Sequence, residues 1–98
     1  MKLSKLLEKI EYSVVSGDAD VEISTLVYDS RKVEKNSVFV CISGAMRDAH
    51  DFIPDVVKKG AAAIIVEKDV DTVEGVTYIK VEDTRVALAC MAAAYFGY

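Results

Sequence analysis

The feature that most constrains the fold is a pair of short apolar runs separated by a helical stretch. Positions 38–42 are all apolar, and positions 61–66 form a second apolar run. A short run that is apolar on both faces is typical of a central strand. Between the two runs, Pro54 suits the first turn of a helix and Gly60 suits its end. Residues 37–66 therefore predict a β-α-β unit with two parallel strands.

Further strands and helices alternate on either side of this unit. Strands are predicted over 12–15, 21–28 and 76–81 from apolar or alternating patterns. A first helix, with Ser4 as its N-cap, is predicted from apolar residues at helical spacing, namely Leu3, Leu6, Leu7 and Ile10. A last helix, capped by Asp83, has an apolar face made of Ala87, Cys90, Met91, Ala94 and Tyr95. The predicted fold class is α/β: one small, three-layer-like domain with a mixed, mostly parallel sheet and about three flanking helices.

Composition excludes several classes of partner. The chain has 98 residues, 52% of them apolar, and a net charge of −4. A chain of this size can bury a core without disulfides or metals, and without a basic field it is not expected to bind nucleic acid or an anionic membrane. Cys41 and Cys90 lie in apolar patterns and are predicted to be reduced core residues. Together with the single His50 they make no convincing metal site.

The N-terminal residues do not have the pattern of a targeting signal. Lys5, Glu8 and Lys9 interrupt what would have to be an unbroken apolar segment, and the longest apolar run is too short to cross a bilayer. We therefore expect a soluble, cytoplasmic protein. The last predicted helix runs directly into Gly97, and a glycine at a helix end usually leads into further chain. We expect this domain to be part of a longer protein.

A polar cluster, Tyr28-Asp29-Ser30-Arg31, ends the strand predicted over 21–28. A strand that ends there places a hydroxyl and a guanidinium at the carboxyl edge of the sheet, where open α/β folds bind ligands. A second polar loop, 43–51, follows the next strand, and its Arg47 could face anionic oxygens together with Arg31. A strand-ending turn and a solvated connector would explain the same residues without a ligand.

The two polar loops can form one site only if their strands are parallel. Residues 29–36 are short for a parallel crossover, whereas an antiparallel pair would put the loops at opposite ends of the sheet. The periodicity of the sequence leaves both arrangements open.

Two kinds of independent catalytic site are disfavoured. Hydrolysis by Ser30 with His50 and an aspartate would need a nucleophile elbow, and Ser30 does not lie in one. The glycines, at positions 17, 44, 60, 75 and 97, form neither GxxxxGK[ST] nor GxGxxG. The chain thus lacks the usual loops for ATP or NAD, and nucleotide-driven catalysis by these residues alone is not expected.

Several segments, taken in order, resemble the DSRxVxxGxxFVAxxGxxxDGHDFIxxAxxxGAxA pattern of Mur ligase N-terminal domains. They are Tyr28-Asp29-Ser30-Arg31-Lys32-Val33, Ser37-Val38-Phe39-Val40, Gly44, Asp48-Ala49-His50-Asp51-Phe52-Ile53 and Gly60-Ala61-Ala62-Ala63. The opening residues 1–7 and the segment 81–89 are most similar to the MurE type. The resemblance covers essentially the whole chain.

The resemblance implies a longer enzyme in which separate domains bind the substrate and carry out catalysis. MurE-type ligases add lysine or meso-diaminopimelate as the third amino acid to UDP-N-acetylmuramoyl-L-alanyl-D-glutamate in cytoplasmic peptidoglycan synthesis, using ATP and Mg²⁺. Residues 1–98 would form the N-terminal domain that binds the uridine-diphosphate end of this substrate. The ATP-binding and C-terminal domains would lie outside this chain, which itself would hold no cofactor and no catalytic residue.

Carried over by position, the resemblance assigns two substrate-binding segments. Tyr28 and Ser30 match the first uridine contact, and Ala45, Met46 and Arg47 match the second. Both segments would line one site, while His50 and Asp51 are expected to brace the loop and the following helix. Ala49 and Asn36 depart from the family pattern, which usually has glycine at both positions.

Three alternatives to a MurE-type substrate-binding domain stay open. The corresponding domain of a MurF-type ligase shares the DSR and HDF segments. A stand-alone interaction domain without a ligand and a serine hydrolase are the other two.

Overall fold

The computed structural model describes residues 1–42 and 48–97. Within these residues a five-stranded sheet has the order β1-β5-β4-β3-β2. Its strands are β1 (Ser13–Ser16), β2 (Thr25–Val27), β3 (Ser37–Val40), β4 (Ala63–Val66) and β5 (Thr77–Lys80). The helices are α1 (Leu3–Leu6), α2 (Ile53–Lys58) and α3 (Thr84–Tyr95), with short 3₁₀ turns at Ser30–Lys32 and Ala49–Phe52. The predicted α/β class is confirmed.

The sheet is mixed and mostly parallel, as predicted. Strands β2, β3, β4 and β5 run parallel to one another, and β1 pairs antiparallel with β5. The predicted β-α-β unit over residues 37–66 is confirmed, with β3 and β4 in the centre of the sheet and all eight of their residues buried.

Two apolar cores lie on opposite faces of the sheet, because successive side chains of a strand point to opposite faces. Val38 and Val40 of β3 belong to a cluster with residues of α1 and α3. Phe39, from the same strand, belongs to a second cluster with residues of α2. The domain therefore has three layers, with α1 and α3 on one face and α2 on the other.

The structure corrects two sequence predictions about where a strand and a helix begin. The strand predicted over 21–28 is limited to β2, Thr25–Val27, which is half-buried because it lies at the edge of the sheet. Ser4 is not the N-cap of the first helix, since α1 begins at Leu3 after Lys2 and has no side-chain cap. The predicted cap of the last helix is confirmed: the carboxylate of Asp83 accepts the N–H groups of Arg85 and Val86.

The connection between β2 and β3 is short, yet the two strands are parallel. The 3₁₀ turn at Ser30–Lys32 starts the return of the chain, and Asn36 completes it with a φ of 67°. In this left-handed conformation its N–H donates to the carbonyl of Gly60 at 2.8 Å, and its carbonyl accepts from the N–H of Ser24 at 2.7 Å. The segments after β2 and β3 therefore leave the sheet at the same edge.

Candidate functional site

Polar residues follow the parallel strands where these strands reach the carboxyl edge of the sheet. Asp29 comes shortly after β2, Asp48 lies beyond β3, Glu67 follows β4 directly, and Asp83 comes shortly after β5. This edge of an open parallel sheet is the usual place for a ligand. The carboxyl edge is therefore the candidate functional site.

A surface pocket of about 670 Å³ lies at the β2 side of this edge. It is lined by Tyr28, Asp29, Ser30, Arg31, Phe39, Ala49, Phe52, Asp55 and Lys59. Two of the five predicted substrate-binding residues, Tyr28 and Ser30, thus line one pocket, and the Tyr28 side chain is largely exposed to it. The other three, Ala45, Met46 and Arg47, lie outside the described residues.

An ion pair fixes the backbone on which Ser30 sits. The Asp29 carboxylate accepts the backbone N–H of Arg31 at 3.0 Å, and it also accepts the guanidinium Nε and Nη2 at 3.0 and 2.8 Å. These bonds lower the pKa of Asp29 to about 2 and raise the pKa of Arg31. The guanidinium, at the mouth of the pocket, therefore has its charge partly offset by its neighbour.

Lys59 is a pocket residue that no sequence pattern identified. Its Nζ donates to the carbonyl oxygen of Ser30 at 2.8 Å, which joins the end of α2 to the turn after β2. In the sequence, Lys58 and Lys59 simply precede Gly60 at the predicted end of a helix, where cations complement the helix dipole. Only the fold brings this ammonium group next to Ser30.

A second polar network lies beside β4. The Asp48 carboxylate accepts the backbone N–H of His50 at 2.9 Å, contacts the Nδ1 of His50 at 2.5 Å and pairs with the Nζ of Lys68. The Lys68 ammonium, followed by the bonds from His50, holds the pKa of Asp48 well below its usual range, and the pKa of Lys68 is raised in turn. His50 braces the segment before α2, whereas the Asp51 side chain is exposed.

The His50 network continues to the start of α3. The imidazole Nε2 accepts the backbone N–H of Glu67 at 3.0 Å. The Glu67 carboxylate accepts the N–H of Thr84 at 2.7 Å and its hydroxyl at 2.6 Å. Because Thr84 is the first residue of α3, these bonds tie that helix to the same edge.

The two cysteines are free and differ in burial. Cys41 follows β3 and is fully buried, and this burial raises the pKa of its thiol to about 12, so that it stays protonated. Cys90 is only partly buried, on the side of α3 that faces α1. The Cys41 thiol therefore lacks the exposed surroundings of a nucleophile.

The described residues lack two further features. Over 1–42 and 48–97, no three histidine, cysteine, aspartate or glutamate side chains come together to hold a metal ion. In the same ranges, each helix is too short or too polar to cross a membrane.

A mostly parallel sheet with a polar pocket at its carboxyl edge defines a small α/β domain with a candidate ligand site. The family model described as "Mur ligase family, catalytic domain" matches residues 22–96. The chain belongs to the Mur ligase family.

Comparison with curated relatives shows which Mur ligases the chain is similar to. The chain is 45% identical over 97 residues to the UDP-N-acetylmuramoyl-L-alanyl-D-glutamate–2,6-diaminopimelate ligase of Clostridium perfringens. It is 43% identical over 97 residues to the ligase of the same name from Alkaliphilus metalliredigens. Each alignment covers 99% of this chain and 20% of the relative. The chain spans about one fifth of the length of the curated relatives it matches, and the matched part is their N-terminal part.

Solved structures of a second Mur ligase share the fold. MurF from Acinetobacter baumannii matches with a TM-score of 0.78 and 28% identity over 95% of this chain and 20% of that chain. The MurF ligase from Thermotoga maritima, solved in complex with ADP, matches with a TM-score of 0.64 and 33% identity over 74% of this chain and 17% of that chain. These neighbours are Mur ligase N-terminal domains, as the resemblance implied.

Proposed function

We propose that this domain binds the uridine-diphosphate end of UDP-N-acetylmuramoyl-L-alanyl-D-glutamate within a MurE-type ligase. The observation that carries the proposal is the 45% identity, over nearly the whole chain, to a ligase named for that substrate. The full enzyme would add the third amino acid of the peptide in cytoplasmic peptidoglycan synthesis. The residues that select this amino acid would lie in other parts of the ligase.

The pocket beside β2 has chemistry that suits a uridine nucleotide. The edge of uracil presents an acceptor, a donor and a second acceptor, which backbone groups and one hydroxyl can match. Ser30 supplies a hydroxyl at the pocket, and Tyr28 supplies an exposed aromatic ring. Lys59 and Arg31 add positive charge for the diphosphate. Ala45, Met46 and Arg47 complete the proposed site by their positions in the family pattern.

Catalysis would belong to the rest of the ligase. The sequence has no glycine-rich phosphate loop, and it spans one fifth of its relatives. ATP and Mg²⁺ would therefore bind to other domains, and these domains would be the main protein partner of residues 1–98. The ADP bound to the Thermotoga maritima MurF ligase is in keeping with a nucleotide site in that family member.

A MurF-type ligase is the second candidate, because the solved structures that match this fold are MurF enzymes. The sequence favours the first candidate, since identity is 45% to the diaminopimelate ligase and 28% to the MurF of Acinetobacter baumannii. Both candidates place the same UDP-linked end of a muramoyl peptide on this domain.

A titration of the ¹⁵N-labelled chain tests the proposal. UDP, followed by NMR at pH 8 up to millimolar concentration, should shift the amides of residues 28–31, 48 and 59, with CDP giving smaller shifts because its base presents a different edge. Ser30→Ala should weaken UDP binding about fivefold to tenfold, as expected for one hydrogen bond at a binding site. Ser13→Ala, in the exposed edge strand β1, is the matched control and should bind as the wild type does.

Two results would contradict the proposal. Equal shifts with UDP and CDP would mean that the site does not recognise uracil. Shifts confined to residues distant from the β2 pocket would place the nucleotide elsewhere. If the isolated chain shows no shift, the same titration of the full-length ligase decides between a site completed by other domains and a fold without this role.

A further inference from the structure

We propose that His50 is a positioning residue of the nucleotide site. Its neutral imidazole, with the proton on Nδ1, links the turn at Asp48 to Glu67 at the end of β4, and protonation of Nε2 breaks the bond to Glu67. This inference rests on the proposed function for its effect on nucleotide binding. Its structural part concerns only the bonds among Asp48, His50, Glu67 and Thr84.

The hydrogen bonds determine which nitrogen of His50 carries the proton. Nε2 accepts the backbone N–H of Glu67, so it has no proton of its own. The proton must then lie on Nδ1, which donates to the Asp48 carboxylate at 2.5 Å. The side chain is only 3% exposed, so water cannot replace either partner without local opening. Each ring nitrogen therefore holds a different segment of the chain.

The bonds form a continuous path across the edge of the sheet. Ala49, which lies between Asp48 and His50, lines the pocket beside β2. His50 links Asp48 to Glu67 at the end of β4, and Glu67 links in turn to Thr84 at the start of α3. The imidazole thus links Asp48 to the end of β4, beside the ion pair that Asp48 makes with Lys68.

Protonation of His50 would break this path at one point. A second proton on Nε2 would face the N–H of Glu67, and two donors cannot bond to each other. The contact with Asp48 would survive, because both ring nitrogens of a charged imidazole donate. The charged and titratable groups around His50, from each element packed near it, are Asp48, Asp51, Glu67, Lys68, Asp69, Asp71 and the buried thiol of Cys41.

Two amide variants separate the two bonds of the ring. His50→Gln places an amide oxygen near the position of Nε2, so it can accept from Glu67 but cannot titrate. His50→Asn places an amide nitrogen near the position of Nδ1, so it can donate to Asp48 but cannot reach Glu67. The two variants share the loss of the ring and differ mainly in which bond remains.

The experiment measures binding of UDP-N-acetylglucosamine to the wild type and both variants from pH 5 to pH 8. A nucleotide sugar is the suitable probe because its diphosphate has no terminal phosphate that titrates near pH 6. The affinity of the wild type should fall about fivefold to tenfold over the pH range in which its imidazole ¹⁵N shifts show His50 gaining a second proton. His50→Gln should bind within about twofold of the wild type at pH 8 and show no change with pH. His50→Asn should be about fivefold to tenfold weaker at every pH.

A second readout keeps this inference separate from the proposed function. The ¹⁵N shifts of the imidazole report the tautomer, and the exchange protection factor of the Glu67 amide reports its bond to Nε2. We expect the Nδ1–H form at pH 8 and a loss of Glu67 protection as His50 is protonated. An Nε2–H form, or protection unchanged by protonation, overturns the inference whatever the nucleotide does.

The remaining outcomes show which of the two proposals is wrong. If the wild type binds at pH 8 but His50→Asn binds equally well, or if His50→Gln is as sensitive to pH as the wild type, then the positioning role is wrong and the proposed function stands. If nucleotide binds at no pH to this chain or to the full-length ligase, while the tautomer and Glu67 protection behave as expected, then the proposed function and the positioning role fail, and the proton-sensitive link remains.

Discussion

Two turns at the carboxyl edge share one backbone geometry and differ in what their third residue contacts. Asp29-Ser30-Arg31 follows β2, and Asp48-Ala49-His50 lies beyond β3. Asp29 has φ −109° and ψ 118°, and Asp48 has φ −106° and ψ 117°. Each aspartate accepts the N–H of the residue two positions on, at 3.0 and 2.9 Å, and each begins a 3₁₀ turn.

The side chain of the third residue separates the two turns. Arg31 is 86% exposed, and its guanidinium turns back to the aspartate of its own turn. His50 is 3% exposed and connects its aspartate to the end of β4. The same local motif therefore forms an open lining of a pocket in one place and a buried link in the other. Burial, which local sequence does not set, makes the difference.

The largest expected effect is on stability, from removing the third side chain of each turn. His50→Ala removes the side-chain acceptor of the Glu67 N–H and one of the bonds to the Asp48 carboxylate, and it opens a cavity. We therefore expect a loss of about 2–4 kcal/mol in the free energy of unfolding. Arg31→Ala, the matched control, removes an exposed ion pair and should change stability far less. Urea denaturation of both variants measures the difference. Equal losses would mean that the two turns are energetically alike.

The second-largest expected effect is on the change of stability at acid pH. The pKa values of Asp29 and Asp48 are lowered in the folded chain. Each carboxylate therefore contributes stability that is present above the unfolded pKa of about 3.9 and is lost as the pH falls through the lower, folded pKa. The Asp48→Asn variant should flatten the dependence of the urea midpoint on pH between 4 and 2 more than Asp29→Asn does, because Asp48 bonds both the buried His50 ring and Lys68, whereas the partner of Asp29 is exposed. A larger flattening in Asp29→Asn would reverse the ranking.

The smallest expected effect is of salt on the exposed turn. Raising sodium chloride from 0.05 to 1 M should move the pKa of Asp29 upward from about 2, because its partner is exposed to screening ions. The ¹³C shift of the carboxyl group measures this pKa directly. In an Arg31→Gln variant the pKa should start higher and respond less to salt. The tautomer of His50, read from its ¹⁵N shifts, should not change with salt, since its ring is buried.

Sequence patterns predicted the centre of this fold better than its edges. The run over 37–42 is predicted as a central strand because apolar residues on both faces need neighbours on both faces, and the run over 61–66 is predicted as the parallel strand that follows it. Both β3 and β4 are buried throughout. The segment 21–28 is also predicted as a strand, from its alternating and then apolar pattern, but β2 has a neighbour on one side only, so it is short and half-buried. Position in the sheet order is a tertiary property, and periodicity does not report it.

The candidate site was predicted in part, and the reasons are physical. Tyr28 and Ser30 end a strand, which a sequence can show, and the structure places both at a pocket. Whether β2 and β3 are parallel depended on a left-handed residue at Asn36, whose side chain tolerates but does not require that conformation. Lys59 reaches Ser30 across 29 positions of sequence, so no local pattern could reveal the contact.

The position of β1 beside β5 has a consequence for the order of folding. The first strand pairs with the last, and Thr77 meets Asp18 across 59 positions of chain. Closing so long a loop is slow and entropically costly, so we expect β1 to dock after the rate-limiting step, onto a parallel sheet that has already formed.

The Gly17→Ala substitution tests this order. Position 17 has a φ of 88°, and the added Cβ would lie only 2.5 Å from Thr77 Oγ1, so the substitution would disrupt the β1–β5 junction. The substitution should speed unfolding and leave the folding rate nearly unchanged, whereas slower folding would place β1 in the folding nucleus.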